Sequence, residues 1–127
     1  MTTKVTGSMM DLSAGVPSNA HTPSGAVAFS ATAMTVNCAL SNVFTTVLTA
    51  NVTVAPTFSN LKDGQTINWR LKQDATGSRT MTWPAAFDWP GGTVGVLSTT
   101  ANAVDLLVAT YFADTGLWLA TLVKDFK

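Results

Sequence analysis

The sequence predicts an all-β fold, an antiparallel β-sandwich of a jelly-roll-like type. The chain contains no Glu, while Thr, Val and Ser are abundant, and this composition favours sheet over helix. Short stretches in which apolar and polar residues alternate recur along the chain, separated by Gly, Pro, Asn and Asp. A chain of 127 residues is long enough for one domain with a single core.

The N-terminal segment lacks this alternation and is interrupted by Gly and Pro. It predicts an extended N-terminal arm over residues 1–25, ahead of a β-sandwich domain over residues 26–127. A frayed terminus is the simpler interpretation, but the segment is apolar for a disordered one. We therefore expect the arm to anchor on a neighbouring subunit or on a larger particle through these side chains: Val5, Met9, Met10, Leu12 and Val16.

The first half of the domain contains three candidate strands. Residues 34–38 alternate between apolar and polar side chains, and residues 43–48 and 52–55 are rich in β-branched residues. The dipeptide Asp63-Gly64 predicts a turn, because Gly accepts a positive φ without penalty.

The middle of the chain predicts a β-hairpin. Residues 65–73 alternate with period two, as does the shorter segment 79–83, so each would have one buried and one wet face. Between them, Asp74 can accept hydrogen bonds from the backbone that follows it, and Gly77 tolerates a left-handed conformation. We expect these two segments to pair with each other.

This region also carries a family resemblance. Residues 64–92 read GQTINWRLKQDATGSRTMTWPAAFDWPGG, and Ala103-Val104-Asp105 and a closing aromatic strand follow. The last two-thirds of the chain resembles a small β domain found in bacteriophage tail-fibre, head-fibre and decoration proteins. The resemblance implies a structural or host-contacting virion protein that is homotrimeric, and it brings no catalytic motif with it.

An aromatic loop follows the predicted hairpin. Residues 84–92 contain two prolines and two glycines, so no regular element is expected there. Phe87 and Trp89 lie in this loop, and each is a candidate contact to a ligand or partner, since exposed aromatic rings make good binding platforms. Packing in the core at the end of the hairpin is the alternative for Phe87, whereas for Trp89 the contact could be to another subunit or to a ligand.

The last two strands are apolar on both faces. Residues 104–112 and 117–123 show no polar side, which is typical of strands that are covered on both sides. In a single sandwich one face of each sheet is wet. We therefore expect one face to be buried between subunits, in agreement with the trimer that the resemblance implies. The residues assigned to this interface are Leu107, Tyr111, Leu117 and Leu119.

The charge content limits the classes of partner. Only 11% of the residues are charged and the formal net charge is zero, so no basic patch for nucleic acid or an anionic membrane is expected. No apolar run approaches the roughly 20 residues of a membrane helix. A neutral surface with few charges favours association, so copies of the chain or a larger particle should cover much of it.

The sequence offers no catalytic or metal-binding constellation. The only His, His21, lies in the predicted arm, and the single Cys38 lies in a strand-like run, where a small buried hydrophobe is expected. No cofactor is expected. Asp74 and Asp88 could be read as a glycosidase pair, but a domain of this size has little room for a depolymerase groove. We expect no enzyme.

Taken together with the resemblance, these features predict a non-enzymatic virion protein, assembled in the bacterial cytoplasm. The leading hypothesis is a homotrimeric head decoration or head-fibre protein attached to other virion proteins of the capsid or tail through its N-terminal arm. The alternative is a tail-fibre module that binds a host surface receptor through its aromatic loop.

Overall fold

The computed structural model describes residues 23–127. The first strand begins at Gly25, the last residue of the predicted arm. The residues predicted to anchor the arm, and the single histidine, lie outside the described residues: Val5, Met9, Met10, Leu12, Val16 and His21.

The described part of the chain is built from eight strands and a single 3-10 turn at Pro90–Gly92. The strands are β1 (Gly25–Ala26), β2 (Thr35–Asn37), β3 (Val43–Leu48), β4 (Thr57–Ser59), β5 (Thr66–Gln73), β6 (Phe87–Asp88), β7 (Val104–Phe112) and β8 (Leu117–Phe126). The strands predicted at 34–38, 43–48, 104–112 and 117–123 are therefore confirmed.

Six strands form one mixed sheet in the order β1-β3-β5-β7-β8-β6, and β2 and β4 form a second, two-stranded sheet. The pairs β5–β7 and β7–β8 are antiparallel, whereas β1–β3, β3–β5, β6–β8 and β2–β4 are parallel. The all-β prediction is confirmed, but the expectation of purely antiparallel pairing is wrong. Parallel neighbours need a long crossover, and residues 49–65 supply one between β3 and β5.

The predicted hairpin is also wrong. Strand β5 pairs with β3 and β7, not with residues 79–83, which lie outside both sheets. Residues 79–83 form hydrogen bonds with Val52 instead. The Val52 N–H donates to the Thr80 carbonyl at 2.8 Å, and the Val52 carbonyl accepts from the Thr82 N–H at 3.1 Å. Residues 52–55, which the sequence predicted as a strand, also lie outside both sheets, so that prediction is wrong. Alternation identifies a strand face but not the partner strand.

The turn after β5 forms as predicted. Asp74 Oδ1 accepts the N–H groups of Thr76 at 3.1 Å and Gly77 at 2.9 Å. Gly77 has φ +75°, and a Cβ there would lie 2.6 Å from the Thr99 carbonyl oxygen. The Arg79 guanidinium donates to both Asp74 carboxylate oxygens, at 2.7 Å to Oδ2, and holds the pKa of Asp74 below its usual value.

The core lies between the inner face of the large sheet and the small sheet. The Phe58 ring of β4 contacts three rings of the large sheet, with centroid distances of 6.0 Å to Trp69, 5.5 Å to Phe87 and 5.2 Å to Trp118. Cys38 is buried in this cluster, and burial raises its pKa to about 11. The thiol therefore behaves as the small hydrophobe that the sequence predicts.

Candidate functional site

Strand alternation sorts the side chains of β7 and β8 onto two faces of the large sheet. Leu107 and Ala109 of β7 have no exposed surface, and Trp118 and Ala120 of β8 are each 2% exposed. These residues point into the core of the chain itself. The inner face of these two strands is therefore fully used by the fold.

The other side chains of β7 and β8 form a second apolar surface. Leu119 is 55% exposed, Val123 44% and Phe126 51%, while Leu106 is half-buried. Cross-strand pairing places Leu106 opposite Val123 and Val104 opposite Phe126. We define the outer face by Val104, Leu106, Val108 and Phe112 of β7 and Leu117, Leu119, Val123 and Phe126 of β8.

A row of polar side chains borders the outer face. Strand β5 presents Thr66, Asn68, Arg70 and Lys72 opposite the outward residues of β7. The exposed Arg70 donates to Thr45 Oγ1 of β3 at 3.2 Å. An apolar centre with a polar rim is the usual anatomy of a protein–protein interface.

The four residues that the sequence assigns to a subunit interface divide between the two faces. Leu107 and Tyr111 belong to the inner side, where Leu107 is fully buried and the Tyr111 ring packs 5.3 Å from Trp118. Leu117 and Leu119 belong to the outer face. Because both faces of these strands are apolar, the sequence did not show which one the core occupies.

The buried carboxylate of Asp105 stabilises the backbone at one end of the outer face. Asp105 is 2% exposed, and its oxygens accept from the Ser98 N–H at 2.7 Å, the Ser98 hydroxyl at 2.8 Å and the Asp125 N–H at 2.8 Å. The pairing of β7 and β8 is irregular here, and Asp125 has φ 60°, as in a β-bulge. Asp105 therefore holds the bulge that returns Phe126 to the outer face. Sequence reasoning did not assign this role to Asp105.

Trp89 follows the short strand β6 at the edge of the large sheet. Its ring lies 5.3 Å from Trp83 and 6.0 Å from Phe87, and a Cβ on Gly95 would come within 2.8 Å of its Cζ3. The Trp89 ring is half-buried. Phe87, the other predicted contact residue, is 5% exposed and belongs to the core.

Two shallow grooves flank Trp89 and Pro90, and together we call them the Trp89 groove. Their volumes are about 370 Å³ and 390 Å³, within the range of small-molecule sites. One side is lined by Asp88, Leu119, Ala120 and Thr121, and the other by Thr93, Val94, Gly95, Val96, Thr121, Leu122 and Lys124.

Within residues 23–127 no three His, Cys, Asp or Glu side chains come close enough to hold a metal ion. The same residues contain no helix that is long and apolar enough to cross a membrane.

Comparison with known proteins identifies a family. The family model described as "Putative phage tail fibre C-terminal domain" matches residues 21–115, which include β1 to β7 and end just before β8. Searches of the curated proteins and of the solved structures found no match. The matched region covers well over half of the chain. The chain therefore belongs to this family of phage tail fibre domains and is a structural component of the phage particle.

Proposed function

We propose that the chain is a non-enzymatic tail-fibre domain that assembles with two further copies of itself through the outer face and contacts the host surface. The observation that carries this proposal is the outer face, where Leu119, Val123 and Phe126 are each about half exposed in a single chain. An apolar surface of this kind on a soluble domain is typical of an interface.

Burial of the outer face would supply the driving force for assembly. Apolar surface removed from water contributes roughly 25 cal/mol per Å². The formal net charge of zero means that no long-range repulsion opposes association. Three copies with their outer faces turned towards a common axis would bury Leu106 and Val123 at the centre and leave the polar row of β5 at the rim. Leu107 has no surface to contribute and is not part of this proposed interface.

The family match supports a proposal for the position of the domain on the particle. Membership in a tail fibre family supports a place on the tail rather than on the head, which reverses the preference from sequence alone. We propose that residues 1–25 attach the domain to another virion protein, since the apolar side chains of that segment, Met9 and Met10 among them, suit irregular pockets.

Antibody labelling of phage particles tests the position. An antibody raised against the domain, visualised with gold by electron microscopy, is expected to mark the tail fibres. An antibody against the major capsid protein of the same phage is the control for labelling of the head. Gold distributed over the capsid by the antibody against the domain would contradict the tail assignment and restore the head-decoration hypothesis.

A further inference from the structure

We propose that the copies join head to tail, with Leu119 and Asp88 of one copy docked against Arg70 of the next. This inference rests on the proposed assembly through the outer face and names the contact that would hold it together. The outer face carries complementary features at two opposite corners, an apolar projection beside an anion and an apolar hollow beside a cation. A single chain cannot bring these corners together, so a second copy is the occupant.

The first corner lies where β6 extends the outer face beyond β8. Asp88 pairs in register with Leu119 in a parallel ladder, so the two side chains lie next to each other on the same side of the sheet. Leu119 is 55% exposed, and Asp88 is exposed as well. Both ion pairs found within residues 23–127 involve other carboxylates, so that of Asp88 has no charged partner there.

The second corner lies where β5 borders β7. A hollow of about 280 Å³, which we call the Arg70 hollow, opens here on the outer face beside the guanidinium group. Arg70 donates to a hydroxyl group of β3 and has no carboxylate partner within residues 23–127. Lys72, two residues further along β5, adds a second positive charge to this side. The remaining walls of the hollow are apolar: Val104, Leu106 and Phe126.

The two corners are too far apart to meet within one chain. Strands β7 and β8 lie between β5 and β6, which places the outer two about 14 Å apart at roughly 4.8 Å per strand. Arg70 is level with Leu106 and Val123, and Val123 is about 13 Å along β8 from Leu119 at roughly 3.3 Å per residue. An ion pair requires N and O within about 4 Å, so Asp88 cannot reach Arg70 of its own chain.

A head-to-tail contact uses both corners of every copy. Each chain offers one projection and one hollow, so a closed ring repeats the same heterologous contact without leaving either corner free. Because the corners lie on a diagonal of the face, the strands would run obliquely to the ring axis, as strands do in a closed barrel. Leu119 would leave water in the Arg70 hollow, and the Asp88–Arg70 pair would oppose registers that bring like charges together.

The test measures the mass of the full chain by light scattering across a dilution series. Asp88→Arg and Arg70→Asp each place like charges at every contact and are expected to weaken association at least about tenfold. The two changes combined in one chain restore opposite charges and should return association to near the wild-type value. Asp114→Arg, in the exposed turn between β7 and β8, is the control and should associate as the wild type does. Wild-type association in both single variants, or no recovery in the double variant, would overturn the proposal.

Salt separates the charge contact from damage to the fold. At about 1 M salt the screening length falls to roughly 3 Å, so Asp88→Arg and Arg70→Asp should regain most of the lost association. Leu119→Ala removes the apolar projection but keeps both charges, and it is expected to weaken association about tenfold at either salt concentration. Wild-type association of Leu119→Ala would show that this side chain does not occupy the Arg70 hollow, and the proposal would be wrong.

An equal mixture of Asp88→Arg and Arg70→Asp chains distinguishes this contact from the number of copies. Two kinds of chain cannot alternate around a ring of three, so one like-charge contact remains and the mixture should associate less well than the double variant. Full recovery as a complex of two chains would keep the contact and contradict the trimer. A wild-type trimer that none of the variants weakens would keep the trimer and rule out the contact, while a wild-type monomer would contradict both.

Discussion

Replacing Trp69 with Ala is expected to lower the free energy of unfolding by about 4 kcal/mol, a large part of the stability of a typical domain. Trp69 has no exposed surface and lies at the centre of β5, the strand between β3 and β7. Its ring meets Phe58 edge-on at 6.0 Å, and its Nε1–H donates to Thr46 Oγ1 at 2.9 Å. The substitution would leave a cavity where the two sheets meet and remove that hydrogen bond.

Equilibrium denaturation by guanidinium chloride measures this loss. Trp69→Phe keeps a ring against Phe58 but removes the N–H donor, so a smaller loss of about 1–2 kcal/mol is expected. Val96→Ala, at a side chain that is 68% exposed, is the control and should stay within about 0.5 kcal/mol of the wild type. A loss below about 1 kcal/mol for Trp69→Ala would mean that the two sheets do not pack around this ring.

Replacing Asp105 with Ala is expected to cost about 3 kcal/mol. The carboxylate is buried and accepts three hydrogen bonds, two from Ser98 and one from the Asp125 N–H. Its removal leaves those donors without partners. It also frees the bulge at the end of β8, so that Phe126 is no longer held against the outer face.

Asp114→Ala is the matched control for this prediction, because Asp114 is exposed in the turn between β7 and β8. Asp105→Asn keeps one acceptor oxygen but turns an N–H group towards the donors of Ser98, so an intermediate loss is expected. The same denaturation measurement applies. Equal stability of the Asp105→Ala and Asp114→Ala proteins would show that the bonds to Asp105 contribute nothing to the fold.

Most of the longer strands were predictable from local sequence, whereas the two-residue strand β6 lies in the segment 84–92, where the expectation of no regular element is wrong. The strand at 43–48 coincides with the run rich in β-branched residues, and the long strand at 104–112 coincides with the run that is apolar on both faces. The pairing was not predictable in the same way. Nothing local in β5 indicates that its neighbours are β3 and β7, since strand pairing depends on contacts that are distant in sequence. For this reason the predicted pairing of residues 65–73 with residues 79–83 is wrong.

The candidate site was predictable only in part. The apolar character of both faces of β7 and β8 indicated an unusual surface, but only the structure separates the buried Leu107 from the exposed Leu119. The aromatic loop was recognised, yet both Phe87 and Trp89 remained candidate contacts on sequence alone. The difference between them arises because β6 pairs with β8 and turns Phe87 towards Trp118, with the rings 6.0 Å apart.

Assembly through the outer face is the central claim, and the solution mass of the full chain tests it most directly. Light scattering of the wild type is expected to give three times the 13.3 kDa of one chain. Val123→Asp places a charge in the proposed interface, where burying it unpaired is costly, and is expected to give a folded monomer. Val54→Asp adds the same charge at a side chain of similar exposure outside the outer face and should keep the wild-type mass. A wild-type monomer, or an unchanged mass for Val123→Asp, would contradict the claim.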